Sequence, residues 1–179
     1  MQVKIYKKDP NVKTPRFETK GSVGFDLASN MDIEILAHEI ALIPTGLVIE
    51  VPENFALILA SRSSTPRKKG LTMPHGIGVI DQDYSGENDE IKIQVKNFLE
   101  KPVLIKKGDK IAQGIFLKTE IAEFQEVQKA PKPATRGGFG STDTQIHGKI
   151  FQNIIQYILQ IKNKDELLSP KNILEGFFN

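Results

Sequence analysis

Apolar and polar residues alternate in short runs along most of this chain. Between Glu90 and Phe98, Ile91, Ile93 and Val95 fall on one face and Lys92, Gln94 and Lys96 on the other. A period of two belongs to a strand with one buried face. Shorter versions of the pattern predict strands over Val3–Tyr6, Gly24–Ala28, Asp32–Ile35, Glu39–Pro44, Gly46–Val51, Phe55–Ala60, Glu90–Phe98, Val103–Ile105, Lys110–Thr119 and Ala122–Val127. Pro10, Pro15, Pro44, Pro52, Pro66, Pro74 and Pro102 punctuate them, and no strong helical period appears. Many short strands with close turns predict an all-β, antiparallel sandwich or barrel.

The pattern then changes. Lys129-Ala130-Pro131-Lys132-Pro133-Ala134-Thr135 reads as an extended linker, and Arg136-Gly137-Gly138-Phe139-Gly140-Ser141-Thr142 as a flexible tract. From about Thr144, Ile146, Ile150, Phe151, Ile154, Ile155, Ile158, Leu159 and Lys162 sit at helical spacing. A second short helix is predicted from Ser169 or Pro170 to Glu175, ended by Gly176. The expected organisation is a β core over 1–128, an arm over 129–142 and a helical extension over 143–179.

Composition narrows the function classes. At 179 residues and 39% hydrophobic, the chain suits one globular domain with a real core. No apolar run is long enough for a bilayer, and Met1–Lys8 holds no signal-peptide core, so no membrane role is expected. The lack of cysteine excludes disulfides and thiolate zinc, and is compatible with the cytosol. His38, His75 and His147 lack metal-ligand spacing. A net charge of +2 is too small to argue for a stable nucleic-acid complex.

The densest chemistry lies in Gly78-Val79-Ile80-Asp81-Gln82-Asp83-Tyr84-Ser85-Gly86-Glu87, where an apolar run meets two acids, an aromatic and a turn glycine. The pattern places a carboxylate and a ring at the lip of a β-hairpin. Asp81, Asp83, Ser85 and Gly86 also match early positions of an EF-hand loop. However, Lys92 stands where the closing acid belongs, and strand and glycine-rich flanks replace the helices. The calcium reading is rejected.

Five motifs then occur in order: Gly21-Ser22-Val23-Gly24-Phe25-Asp26-Leu27, Ser61-Arg62-Ser63-Ser64, Gly78–Glu87, Lys107-Gly108-Asp109-Lys110-Ile111-Ala112-Gln113, and Arg136–Thr142. Together they resemble the homotrimeric dUTPase family, over roughly Met1 to Thr142. The resemblance implies a distorted antiparallel β-barrel of jelly-roll-like form. It implies hydrolysis of dUTP to dUMP and pyrophosphate, with Mg2+, in a cytoplasmic homotrimer whose sites are shared between subunits. It makes Asp81 the base that activates water, and Tyr84 the ring under the deoxyribose. Gly78 and Ile80 lie in the backbone wall against uracil. Arg62, Ser63 and Ser64 become the phosphate turn, and Gln113 a contact to the α-phosphate. Asp26 would hold magnesium through water. Arg136, Phe139, Gly140, Ser141 and Thr142 form an arm that closes over the substrate, with Phe139 stacked on the base. These roles suit the chemistry, which needs an in-line water, a base and stabilisation of growing negative charge.

Taken singly, each residue has a plainer reading. Asp26 is a turn cap, Arg62 a surface ion pair, Gln113 an ordinary strand residue and Phe139 a linker aromatic; Asp109 keeps a turn role in either case. Three features depart from the family pattern. The region where many members place an asparagine reads Thr72-Met73-Pro74-His75-Gly76-Ile77-Gly78, with His75 either in its place or in a turn role; only Gly137 and Gly138 separate Arg136 from Phe139, where members often carry two more residues; and the chain continues past Thr142 into an apolar helix. That tail is expected to pack in the trimer, with a tail-mediated protein contact as the other outcome. Two other functions compete: a non-catalytic nucleotide-binding regulatory trimer, and a dCTP deaminase of the same fold.

Overall fold

The computed structural model describes residues 1–138 and 150–158. They fall into a unit spanning Met1–Glu123 and a second unit that begins at Phe124. In the first, the strands are β1 (Ile5–Lys7), β2 (Phe25–Ala28), β3 (Ile33–Ile35), β4 (Ile40–Pro44), β5 (Leu47–Ile49), β6 (Phe55–Ser61), β7 (Leu71–Thr72), β8 (Gly78–Ile80), β9 (Lys92–Asn97), β10 (Val103–Ile105) and β11 (Lys110–Lys118), with one short helix, α1 (Thr65–Lys69). Pairing is antiparallel throughout. The largest sheet runs β2-β11-β6-β8, beside a three-stranded sheet β4-β9-β7 and the pairs β1-β5 and β10-β3.

The all-β class is as the alternation predicts. The strands form four separate sheets rather than one closed hydrogen-bonded cylinder. They still share one core: Leu27, Ile35, Ile43, Ile49, Leu57, Leu71, Ile93, Ile105 and Ile111 are buried in a single cluster. β9 shows how the sequence specifies this. Ile93 and Val95 are buried and Lys92 exposed, as period two requires. At its end Asn97, fully buried, donates through Nδ2 to the carbonyls of Ile35, Leu36 and Lys101 and accepts from the Leu99 N–H at 2.9 Å. One side chain thus pins the β9 end to the β3–β4 turn.

Each predicted strand up to Lys110–Thr119 overlaps an observed one. Ala122–Val127 is not a strand: Ile121, Phe124 and Val127 are exposed, and alternation alone supplies no neighbour to pair with. Helix α1 escaped the periodicity because it is too short to show one. Pro66 presets its first turn, and Gly70 ends it in the left-handed region at φ 66°, donating to the Pro66 carbonyl. The Leu99 side chain fills the place a Cβ on Gly70 would need, so the cap must be glycine. Arg67, Lys68 and Lys69 form the basic last turn of this helix.

The hairpin expected around Gly78–Glu87 is also corrected. β8 pairs with β6, whereas β9 pairs with β4 and β7. The segment therefore crosses between two sheets, and β8 is an edge strand. In the second unit, residues 150–158 form a helix within the predicted stripe, with Ile150, Phe151, Ile155 and Ile158 exposed. Ile146, Leu159, Lys162 and the second predicted helix lie outside the described residues.

Candidate active site

The site is built at one end of the large sheet. In β2, Phe25 and Leu27 are buried and Asp26 and Ala28 face the other way. β11 would normally place Lys110 and Gln113 on opposite faces, being three residues apart. A register shift between Lys110 and Ala112 inserts one extra residue. Ile111 and Ala112 are consequently both buried, and Lys110 and Gln113 emerge on the same face. After the bulge Gln113 stands opposite Asp26 on one side and Ala60 on the other. Arg62, just past β6, completes the row.

Charge binds this row together. Asp26 Oδ1 meets Arg62 Nε at 2.7 Å and Oδ2 meets Lys110 Nζ at 2.7 Å. Arg62 Nη1 also donates to the Lys110 carbonyl at 3.3 Å, and Gln113 Nε2 to the Ser61 carbonyl at 3.2 Å. Lys110 reaches a second carboxylate, Glu18, at 2.6 Å. Asp26 first, and then Glu18, raise the Lys110 pKa; the hydrogen bond from Lys110 in turn lowers that of Glu18. Neither Lys110 nor Glu18 stood out in the sequence. The run Lys107–Gln113 contained one of them, but the bulge that aims it leaves no periodic signal. Gly24 makes room here as well, since a Cβ on it would lie 3.0 Å from Gln113 Oε1.

The turn expected to bind phosphate follows directly. Ser64 is the N-cap of α1 but makes no side-chain cap hydrogen bond. Ser63 beside it is exposed. Thr65 is buried and donates through Oγ1 to the Ile111 carbonyl at 2.8 Å, which fixes the turn against β11.

Asp81 and Tyr84 are elsewhere in the same chain. Leu57 pairs with Ile80 and Leu59 with Gly78. Continuing that register sets Asp81 opposite Ala56, six positions along β6 from Arg62. At ~3.3 Å per strand residue the separation is about 20 Å. Asp81 is exposed, and its carbonyl accepts from the Tyr84 N–H at 3.4 Å. Tyr84 is 40% exposed, with its hydroxyl donating to the Glu90 carbonyl at 3.3 Å. Asp89 closes the loop by accepting from the Gly86 N–H at 2.7 Å. Ile80 is half-buried against the core, and Gly78 packs on Leu59. His75 is exposed, its carbonyl in a tight turn with the Ile77 N–H.

Arg136 belongs to the second unit and is exposed there. Phe139, Gly140, Ser141 and Thr142 lie outside the described residues. Among the described residues no group of three or more His, Cys, Asp or Glu is arranged to hold a metal ion. None of the described helices is long and apolar enough to cross a membrane.

Comparison with known proteins identifies the assembly of motifs. The dUTPase family model matches residues 10–143. A deoxyuridine 5'-triphosphate nucleotidohydrolase of Lactococcus lactis is 37% identical over 138 residues, covering 75% of this chain and 91% of that protein. The crystal structure of a dUTPase from Streptococcus mutans, 33% identical, superposes with a TM-score of 0.63 over 69% of this chain and all of that one. A variant dUTPase from phage phi11 of S. aureus shares the fold at 22% identity and TM-score 0.66, over 72% of this chain and 98% of that one. Its structure shows a coordinated structural Mg(II) ion. By sequence over most of its length, and by fold, this chain belongs to the dUTPase family.

Proposed function

We propose that this protein hydrolyses dUTP to dUMP and pyrophosphate, at sites shared between copies of the chain. The strand register carries the reading. Arg62, Gln113 and Asp26 gather at one end of the large sheet while Asp81 stands about 20 Å along β6. A general base must lie within hydrogen-bond reach of its water, and the water in line with phosphorus. Asp81 of one copy therefore serves phosphates held by another, which a homotrimer arranges by symmetry.

The roles follow from the side chains. Arg62 and the hydroxyls of Ser63 and Ser64 hold phosphate oxygens, and the Gln113 amide donates to the α-phosphate. Asp81 takes a proton from water as its oxygen attacks the α-phosphorus. The bond to the α–β bridging oxygen breaks and pyrophosphate leaves. Tyr84 packs under the deoxyribose and leaves no room for a 2′-hydroxyl. β8 is an edge strand, so part of the backbone over Gly78–Ile80 is left unpaired by β6 and suits the edge of uracil. Arg136 pairs with the terminal phosphate, and the tract to Thr142, with Phe139 on the base, closes the site.

Magnesium fits this arrangement only through water. Each Asp26 oxygen already meets one cation, and a carboxylate oxygen keeps a further lone pair for a metal-bound water. Bound with the triphosphate, the ion supplies charge neutralisation on the phosphates. A cytoplasmic location suits a nucleotide substrate, and the helical extension is placed in the trimer or against a protein partner.

The test is pyrophosphate release from dUTP, with dCTP, dTTP and UTP in parallel, in magnesium and in excess chelator. Magnesium-dependent release from dUTP alone is expected. Binding of dUTP without turnover, or ammonia from dCTP, would overturn the reading in favour of a binding protein or a deaminase.

A further inference from the structure

Glu18 lies in the loop before β2, and nothing in the proposed chemistry uses it. Yet it accepts from Lys110 Nζ at 2.6 Å, while the same ammonium meets Asp26 at 2.7 Å. Arg16 Nε lies 4.0 Å from the same Glu18 oxygen. Lys110 thus stands between two carboxylates, one from the loop and one from the sheet. We propose that Glu18 is a positioning residue, the alternative counter-ion that keeps Lys110 when Asp26 takes up the hydrated magnesium of the substrate.

This inference rests on the dUTP reading above. A dication arriving beside Asp26 repels Lys110. An ammonium with a second carboxylate in reach moves off Asp26 and stays paired. Without Glu18, Asp26 is the only anion Lys110 meets among the described residues, so the lysine competes with the ion. Replacing Glu18 with a neutral residue has a second, opposite effect. The cluster of Arg62, Lys110, Asp26 and Glu18 gains one positive charge, which favours a metal-free triphosphate. A loop that merely lost its shape would weaken binding with and without metal alike.

The experiment measures binding of α,β-imido-dUTP to the full chain by calorimetry, across a magnesium titration and in excess chelator. Glu18→Gln is expected to raise the magnesium concentration for half-maximal enhancement by about threefold to fivefold, the range of a partly exposed ion pair. In chelator it should bind the analogue at least as tightly as the parent. In a Lys110→Met background, Glu18→Gln should add no further shift, because the effect passes through the lysine. An unchanged magnesium requirement, a shift that persists in Lys110→Met, or equal weakening in both conditions overturns the proposal. The two readings fail separately. A parent protein that releases no pyrophosphate from dUTP sinks the function, whereas an active parent with no Glu18 effect sinks only this inference.

Discussion

A carboxylate that activates water must be ionised, and it must be irreplaceable by its amide. Asp81→Asn keeps the shape of the loop but cannot accept the proton. Turnover of dUTP is expected to fall by roughly a hundredfold to ten-thousandfold, with dUTP binding retained in a calorimetric titration. Asn97 carries a different burden. It is fully buried, and its amide serves three carbonyls and one N–H. Asn97→Leu leaves those groups unpaired in the interior. The expected loss is about 2–4 kcal/mol, read from the urea midpoint.

At the scale of elements, the turn before β11 is joined to α1 through Asp109. Its carboxylate accepts from Lys69 Nζ at 2.8 Å and from the Lys106 N–H at 3.1 Å. Burial pushes its pKa up, but the Lys69 hydrogen bond and the Lys106 N–H outweigh that and hold it below the usual 3.8. A folded-state pKa below the unfolded one stabilises the fold above the unfolded value. That stability is lost as pH falls through the folded value. Asp109→Asn should therefore lower the urea midpoint at pH 7, and its gap from the parent should close as pH drops below 3.8. A gap that stays constant into acid would show that the charge of Asp109 does no stabilising.

At the scale of the whole molecule, the separation of Asp81 from Arg62 makes a quantitative prediction. Arg62→Ala and Asp81→Asn chains are each expected to be nearly inactive alone. Refolded together they should form mixed trimers in which some sites draw both intact residues from different copies. Random 1:1 assembly gives about a quarter of the parent activity. Mixtures no more active than either variant alone, despite proven co-assembly, would place both residues in one chain's site.

Much of this protein is legible in its sequence. Alternation located the strands because a half-buried strand must alternate, whatever it pairs with. Order and spacing of the five motifs identified the family, because chemistry on a triphosphate needs those groups together. Other features depended on the tertiary structure. Alternation at Ala122–Val127 produced no strand, since a strand needs a partner edge as well as a pattern. β8 joined β6 rather than β9, a choice made by packing between distant segments. The bulge at Ile111 turned Lys110 onto the face of Gln113 and Asp26, and so brought Glu18 into the same network. No local pattern reports such a bulge, because its signature is a register between strands far apart in sequence. Residue types and their order are written along the chain, whereas which residues face one another is decided by the pairing of strands.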